Sequence, residues 1–71
     1  MTQHSITLTV NGHERTLSGE PTLPALLTDL GVDRRMIAVA HNGEVIPRAT
    51  YDDVTLQDGD RIEVVRMVGG G

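Results

Sequence analysis

Ser5-Ile6-Thr7-Leu8-Thr9-Val10 alternates polar and apolar side chains with period two, which places Ile6, Leu8 and Val10 on one face of a half-buried strand. Asn11-Gly12 follows. The favoured two-residue hairpin turn needs positive φ at both central positions, and Asn and Gly tolerate this best, so His13 to Leu17 is expected to return antiparallel. Ser18-Gly19-Glu20-Pro21 breaks the alternation. Thr22 then offers a hydroxyl to cap a helix, and Pro24 fits a first turn that has no use for its missing N–H. Leu23, Leu26, Leu27 and Leu30 recur at i, i+3, i+4 and i+7, one apolar helical stripe. Gly31 suits the left-handed residue that closes such a helix.

Asp33-Arg34-Arg35 reads as a polar link, and Met36-Ile37-Ala38-Val39-Ala40 as a short, largely buried strand. Asn42-Gly43 turns the chain again, and Glu44-Val45-Ile46 can pair briefly before Pro47 blocks further laddering. Arg48 to Asp53 has no clear period and is assigned to a loop or one helical turn. Asp58-Gly59-Asp60 is a tight turn leading into a last strand from Arg61 to Val68. On that strand Ile62 and Val64 are expected to point one way, and Val65 and Met67 the other. One helix laid across one face of a mixed sheet satisfies this order of elements with a single core. Residues 1–68 are therefore expected to form the domain, and Gly69-Gly70-Gly71 a flexible tail.

A chain of 71 residues holds one small domain, which buries only about 60% of the surface its unfolded chain exposes. There is no cysteine to form disulfides or a thiolate zinc site, so packing and hydrogen bonds must suffice. The formal charge is −4, every cationic residue is Arg, and Tyr51 is the single aromatic residue. That balance argues against nucleic acid, which demands clustered positive charge and stacking platforms. It suits a basic protein partner better. No apolar run approaches the ~20 residues that span a bilayer, and the first residues do not begin a signal peptide, so a cytoplasmic location without membrane attachment is expected.

Side-chain chemistry is sparse. His4, His13 and His41 lack metal-ligand spacing, and the carboxylates of Asp52-Asp53 and Asp58-Gly59-Asp60 do not continue into a calcium loop; turn chemistry explains them. Ser5 and Ser18 have no neighbouring base or oxyanion motif. What remains is the tail. Its three glycines reach roughly 10 Å beyond the strand, and without Cβ atoms they can thread a narrow channel. Gly71 would present its carboxylate as the reactive group, with Gly70 as the threading element and Gly69 as a spacer. Val65, Met67 and Val68 would form an apolar partner-binding platform beside it. With no cysteine, sulfur could be carried only at the terminus. With no lysine, the chain cannot accept isopeptide bonds on its own side chains.

The strand order, the segment Asn42-Gly43-Glu44-Val45-Ile46-Pro47-Arg48, the Asp58-Gly59-Asp60 turn and the Gly70-Gly71 ending together resemble the ThiS family, the sulfur carriers of thiamine biosynthesis. The resemblance covers nearly the whole chain. It departs in a few extra residues before the first strand and in Tyr51, where the family pattern leads one to expect tryptophan. It implies an α+β, ubiquitin-like β-grasp fold with a mixed sheet of four to five strands. It also implies a carrier that is not itself an enzyme and binds no cofactor or metal. In that family an E1-like adenylyltransferase of the ThiF type uses ATP and magnesium to adenylate the C-terminal glycine. A sulfur donor, a cysteine desulfurase or equivalent, converts it to a thiocarboxylate, and a thiazole synthase of the ThiG type takes the sulfur for the thiazole ring of thiamine. Alternatives are a carrier for molybdopterin, cysteine or a natural product, a ubiquitin-like protein modifier, and a regulatory β-grasp binding module. The missing Phe and Pro before the glycines and the presence of Ile46-Pro47-Arg48 favour the thiamine carrier over the molybdopterin one.

Overall fold

The computed structural model describes residues 5–67. Val68, Gly69, Gly70 and Gly71, assigned above to the tail and its platform, lie outside the described residues. The elements in chain order are β1 (Ser5–Val10), β2 (His13–Ser18), α1 (Leu23–Leu30), β3 (Ile37–His41), β4 (Glu44–Val45) and β5 (Arg61–Arg66). Two short 3-10 segments, Arg34–Met36 and Arg48–Asp53, join them. The five strands form one sheet in the order β2-β1-β5-β3-β4, with β1 and β5 parallel and the other neighbours antiparallel. This is the ubiquitin-like β-grasp arrangement, with α1 held against one face.

The local rules operate as the sequence predicts. Asn11 and Gly12 take φ of 51° and 82°, the two positive values the first hairpin turn requires, and Asn42 and Gly43 repeat them at 51° and 87°. Thr22 accepts a hydrogen bond from the Ala25 N–H through its hydroxyl, and Gly31 closes α1 at φ 73° while donating to Leu27 and Thr28 carbonyls. Leu23, Leu26 and Leu27 are buried, and Leu30 is partly buried against the same core. Leu8 and Val10 of β1, Leu17 of β2, Ile37 and Val39 of β3 and Ile62 of β5 supply the sheet side.

Several boundaries differ from the sequence expectation: β2 runs one residue further, to Ser18, and β4 stops at Val45, before Ile46. Met36 is not the first residue of β3. Asp33 accepts from the Arg35 N–H, which winds Arg34–Met36 into a 3-10 turn that leaves Met36 exposed. β5 ends at Arg66 rather than Val68 in the described chain, although the Met67 N–H still donates to the Met36 carbonyl at 2.8 Å. The aperiodic stretch Arg48–Asp53 is a six-residue 3-10 segment that lies against α1 and puts Tyr51 into the core with 2% of its surface exposed. The large aromatic ring fills space beside a helix of only eight residues, and Leu56 completes the layer. No helix among the described residues is long and apolar enough to cross a membrane.

Candidate functional site

The site is organised by β5, whose C-terminal end leads into the tail. Alternation along the strand sends Ile62 and Val64 toward the helix and Glu63 and Val65 to the open face. Val65 is 61% exposed and Met67 43%, as the period-two reading predicts. Register extends this patch across three strands: Val65 stands opposite Ala38, Glu63 opposite Ala40, and Ala40 opposite Val45. Val45 is 73% exposed, and with Ala38, Ala40, Glu63 and Val65 it lines a shallow depression of about 230 Å³. The open face thus carries a mainly apolar strip in which Ala38 and Ala40 lie between Val45 and Val65, with the carboxylate of Glu63 beside Ala40.

Sequence reasoning found Val65 and Met67 but missed Val45, Ala38 and Ala40. Ala38 and Ala40 alternate with the buried Ile37 and Val39, so their facing was readable from period two alone. That they lie beside Val65 was not, since it depends on β3 pairing with β5 rather than with another strand.

Two asparagines hold β5 in place. Asn11, turn-forming residue of the first hairpin, accepts from the Val64 N–H at 2.8 Å through Oδ1 and donates to the Val64 carbonyl at 3.1 Å through Nδ2. Its amide thereby continues the parallel ladder one residue past β1, close to where the tail begins. Asn42, in the second hairpin turn, accepts from the Arg61 N–H at 2.8 Å and donates to Asp60 Oδ1 at 3.1 Å. Asp60 is the hub of that end: its Oδ2 lies 2.7 Å from His41 Nε2 and accepts from the Gln57 N–H at 2.8 Å. Burial pushes the Asp60 carboxyl up, but hydrogen bonds from His41, the Gln57 backbone and Asn42 outweigh it and hold the group below the usual carboxylate range. An ionised Asp60 only accepts, so His41 Nε2 is the donor. The neighbouring Asp58 accepts from the Thr7 N–H at 2.7 Å. These carboxylates fasten the sheet, which is why the turn reading of Asp58-Gly59-Asp60 describes them better than a metal loop. No group of three His, Cys, Asp or Glu side chains among the described residues is arranged to hold a metal ion.

On the helix side of the tail root, Arg66 stands opposite Ile37 and borders clefts lined with Val32, Ile37 and Val64. Three other arginines are engaged with carboxylates: Arg15 with Asp29, Arg34 with Asp52, and Arg35 with Asp33. Arg48 donates to the Ile37 carbonyl. Arg34 also lies over the Tyr51 ring at 5.5 Å.

The arrangement is a rigid strand end bearing one apolar face, with no catalytic cluster among the described residues. Similarity to known proteins agrees with it. The sequence profile of the ThiS family matches residues 8–71, a span that runs through the terminal glycines. The sulfur carrier protein ThiS of Thermus thermophilus is 39% identical over 62 residues, covering 87% of this chain and 95% of that one. The crystal structure of a thiamine biosynthesis protein, ThiS, from Geobacter metallireducens superposes with a TM-score of 0.78 at 38% identity, over 93% of this chain and all of that one. A thiazole synthase of Paramagnetospirillum magneticum is 47% identical over 64 residues; these are 90% of this chain, which spans only 20% of the length of that relative. With the profile matched over most of its length and the fold in agreement, the chain belongs to the ThiS family.

Proposed function

We propose that the chain is a sulfur carrier for thiamine biosynthesis and that its reactive group is the Gly71 carboxylate. The observation that carries the reading is the family match extending through Gly71, on a chain that has no cysteine to hold sulfur elsewhere. An E1-like enzyme of the ThiF type supplies ATP and magnesium. A carboxylate oxygen of Gly71 attacks the α-phosphorus of ATP, and pyrophosphate leaves. The resulting acyl-adenylate is a mixed anhydride. The outer sulfur of a donor persulfide, such as a cysteine desulfurase carries, attacks its carbonyl and AMP leaves, giving an acyl disulfide. A thiolate then attacks the donor-side sulfur, forming a disulfide with it and releasing Gly71 as the thiocarboxylate.

A thiazole synthase then receives that sulfur for the thiazole ring. Support for this partner comes from the Paramagnetospirillum relative, in which a domain like this one occupies a fifth of a chain named as thiazole synthase. Electrostatic and positioning work for each step falls to the enzymes that enclose the tail. The carrier contributes a rigid strand end and the open-face strip of Val45, Ala38, Ala40 and Val65, with Met67 just past the end of β5, as a docking platform.

Adenylation tests the reading. With the activating enzyme, ATP and magnesium, the full chain is expected to support exchange of labelled pyrophosphate into ATP. The chain lacking Gly71 is expected to show none, with its unfolding transition unchanged. Adding a sulfur donor should raise the intact mass by the difference between sulfur and oxygen. Pyrophosphate exchange that persists without Gly71 would overturn the assignment.

A further inference from the structure

Arg66 is the last residue of β5 and occupies the face opposite to Val65. Its register partner is the buried Ile37, so its side chain starts out on the helix side of the sheet. There it borders two adjoining clefts of about 350 and 230 Å³ that share Val32, Ile37 and Arg66. The one acidic residue lining them, Asp33, is already bound: Arg35 donates to its Oδ1 at 3.1 Å and to its Oδ2 at 3.0 Å. Among the described residues Arg66 has no carboxylate partner, although the chain carries a net charge of −4. Among the described residues Arg66 thus presents a guanidinium with no carboxylate partner beside a cleft lined by Val32 and Ile37, three residues before the glycine tail.

An enzyme whose channel encloses the tail past its root would meet this face as well as the open one. We propose that Arg66 and the cleft formed by Val32, Ile37 and Val64 receive an acidic side chain of the thiazole synthase, so that the tail root is gripped from both faces of the sheet. This rests on the sulfur-carrier reading above. The planar guanidinium fork matches a carboxylate with two parallel hydrogen bonds, and the cleft floor accepts the aliphatic stem that carries it. The synthase is the partner chosen because a relative joins this domain to a synthase in one chain, which keeps that contact permanently available. The overall negative charge of the carrier gives an acidic partner no long-range attraction. The Arg66 contact therefore acts at short range and fixes orientation.

The test is binding of the full-length chain and its variants to the thiazole synthase of the same organism, by calorimetry at several salt concentrations. Arg66→Glu is expected to weaken binding by more than about tenfold and Arg66→Gln by less, with Arg66→Lys retaining part of the affinity. Arg66→Gln is also expected to flatten the salt dependence, which a merely structural role would not do. Arg61→Glu makes the same charge change at the opposite end of β5 and is expected to bind like the parent. Equal affinity of parent and Arg66→Glu overturns the proposal while leaving the carrier function intact. So does equal weakening by Arg61→Glu, which would reveal a bulk charge effect, or an Arg66→Glu variant impaired only in adenylation, which would place the carboxylate on the activating enzyme. Failure of the parent itself to bind the synthase removes the partner from the carrier reading, and the proposal with it.

Discussion

Asp60 shows how much one turn residue does in this chain. Its carboxylate joins the end of β3 through His41, the second hairpin through Asn42 and the approach to β5 through Gln57. Its pKa is held below that of the unfolded chain, so the group stabilises the fold above the unfolded value, and the contribution disappears as pH falls through the folded value. Asp60→Asn is expected to lower stability at neutral pH by about 1–3 kcal/mol, since donors at a largely buried site lose a charged acceptor. The gap between variant and parent should shrink on acidification through that range. Urea denaturation across a pH series measures both effects, and a gap that grows toward acid would contradict the assignment. The sequence showed Asp58-Gly59-Asp60 as turn chemistry and went no further. Which donors a turn carboxylate meets depends on residues 19 and 51 positions away, His41 for Asp60 and Thr7 for Asp58.

At the level of elements, α1 was fully legible because everything that defines it is local. Thr22 caps it, Pro24 enters in the first turn, the leucines recur on one stripe, and Gly31 ends it in the left-handed region. Thr22→Ala is expected to cost about 1 kcal/mol by orphaning the Ala25 N–H, and Thr22→Ser to restore most of it. Thermal unfolding of the two variants is the check, and identical midpoints for parent and Thr22→Ala would remove the cap from the account. Arg48–Asp53 was expected as a loop or one helical turn and is helical, but the burial of Tyr51 within it was not legible, for the opposite reason. A 3-10 segment this short carries no amphipathic period, and only the space left beside a two-turn helix makes Tyr51 a core residue. The Arg34–Met36 turn was missed on the same ground, its cap being a single Asp33 in what read as a polar link.

For the molecule as a whole, the core and the proposed docking platform occupy separate faces of the sheet. The core lies between α1 and one face of the sheet, whereas Val45 and Val65 stand exposed on the other and Met67 is exposed just past the end of β5. Val45→Asp combined with Val65→Asp is therefore expected to leave the unfolding midpoint close to that of the parent. The same variant should weaken docking to the tail-binding enzymes by more than about tenfold, because unpaired carboxylates would be desolvated at the interface. Titration binding and a melting curve on the same preparation separate the two. Leu26→Ala should do the reverse. It removes a fully buried side chain and costs about 2–5 kcal/mol, a large share of the stability of a domain this size.

Sequence by itself determined the helix, the two hairpins and the last strand, because turns, caps and periodicities are set by residues within a few positions of one another. It also determined the facing of Val65 along β5. Only the tertiary structure decided which strands are neighbours. The parallel pairing of β1 with β5 brings Asn11 to Val64 across 53 positions, and the pairing of β3 with β5 merges Ala38, Ala40 and Val45 with Val65 and sets Arg66 over Ile37. Those contacts depend on how one buried face is shared among five strands and a helix. That choice is made by the packing of the whole core, and no local run of residues records it.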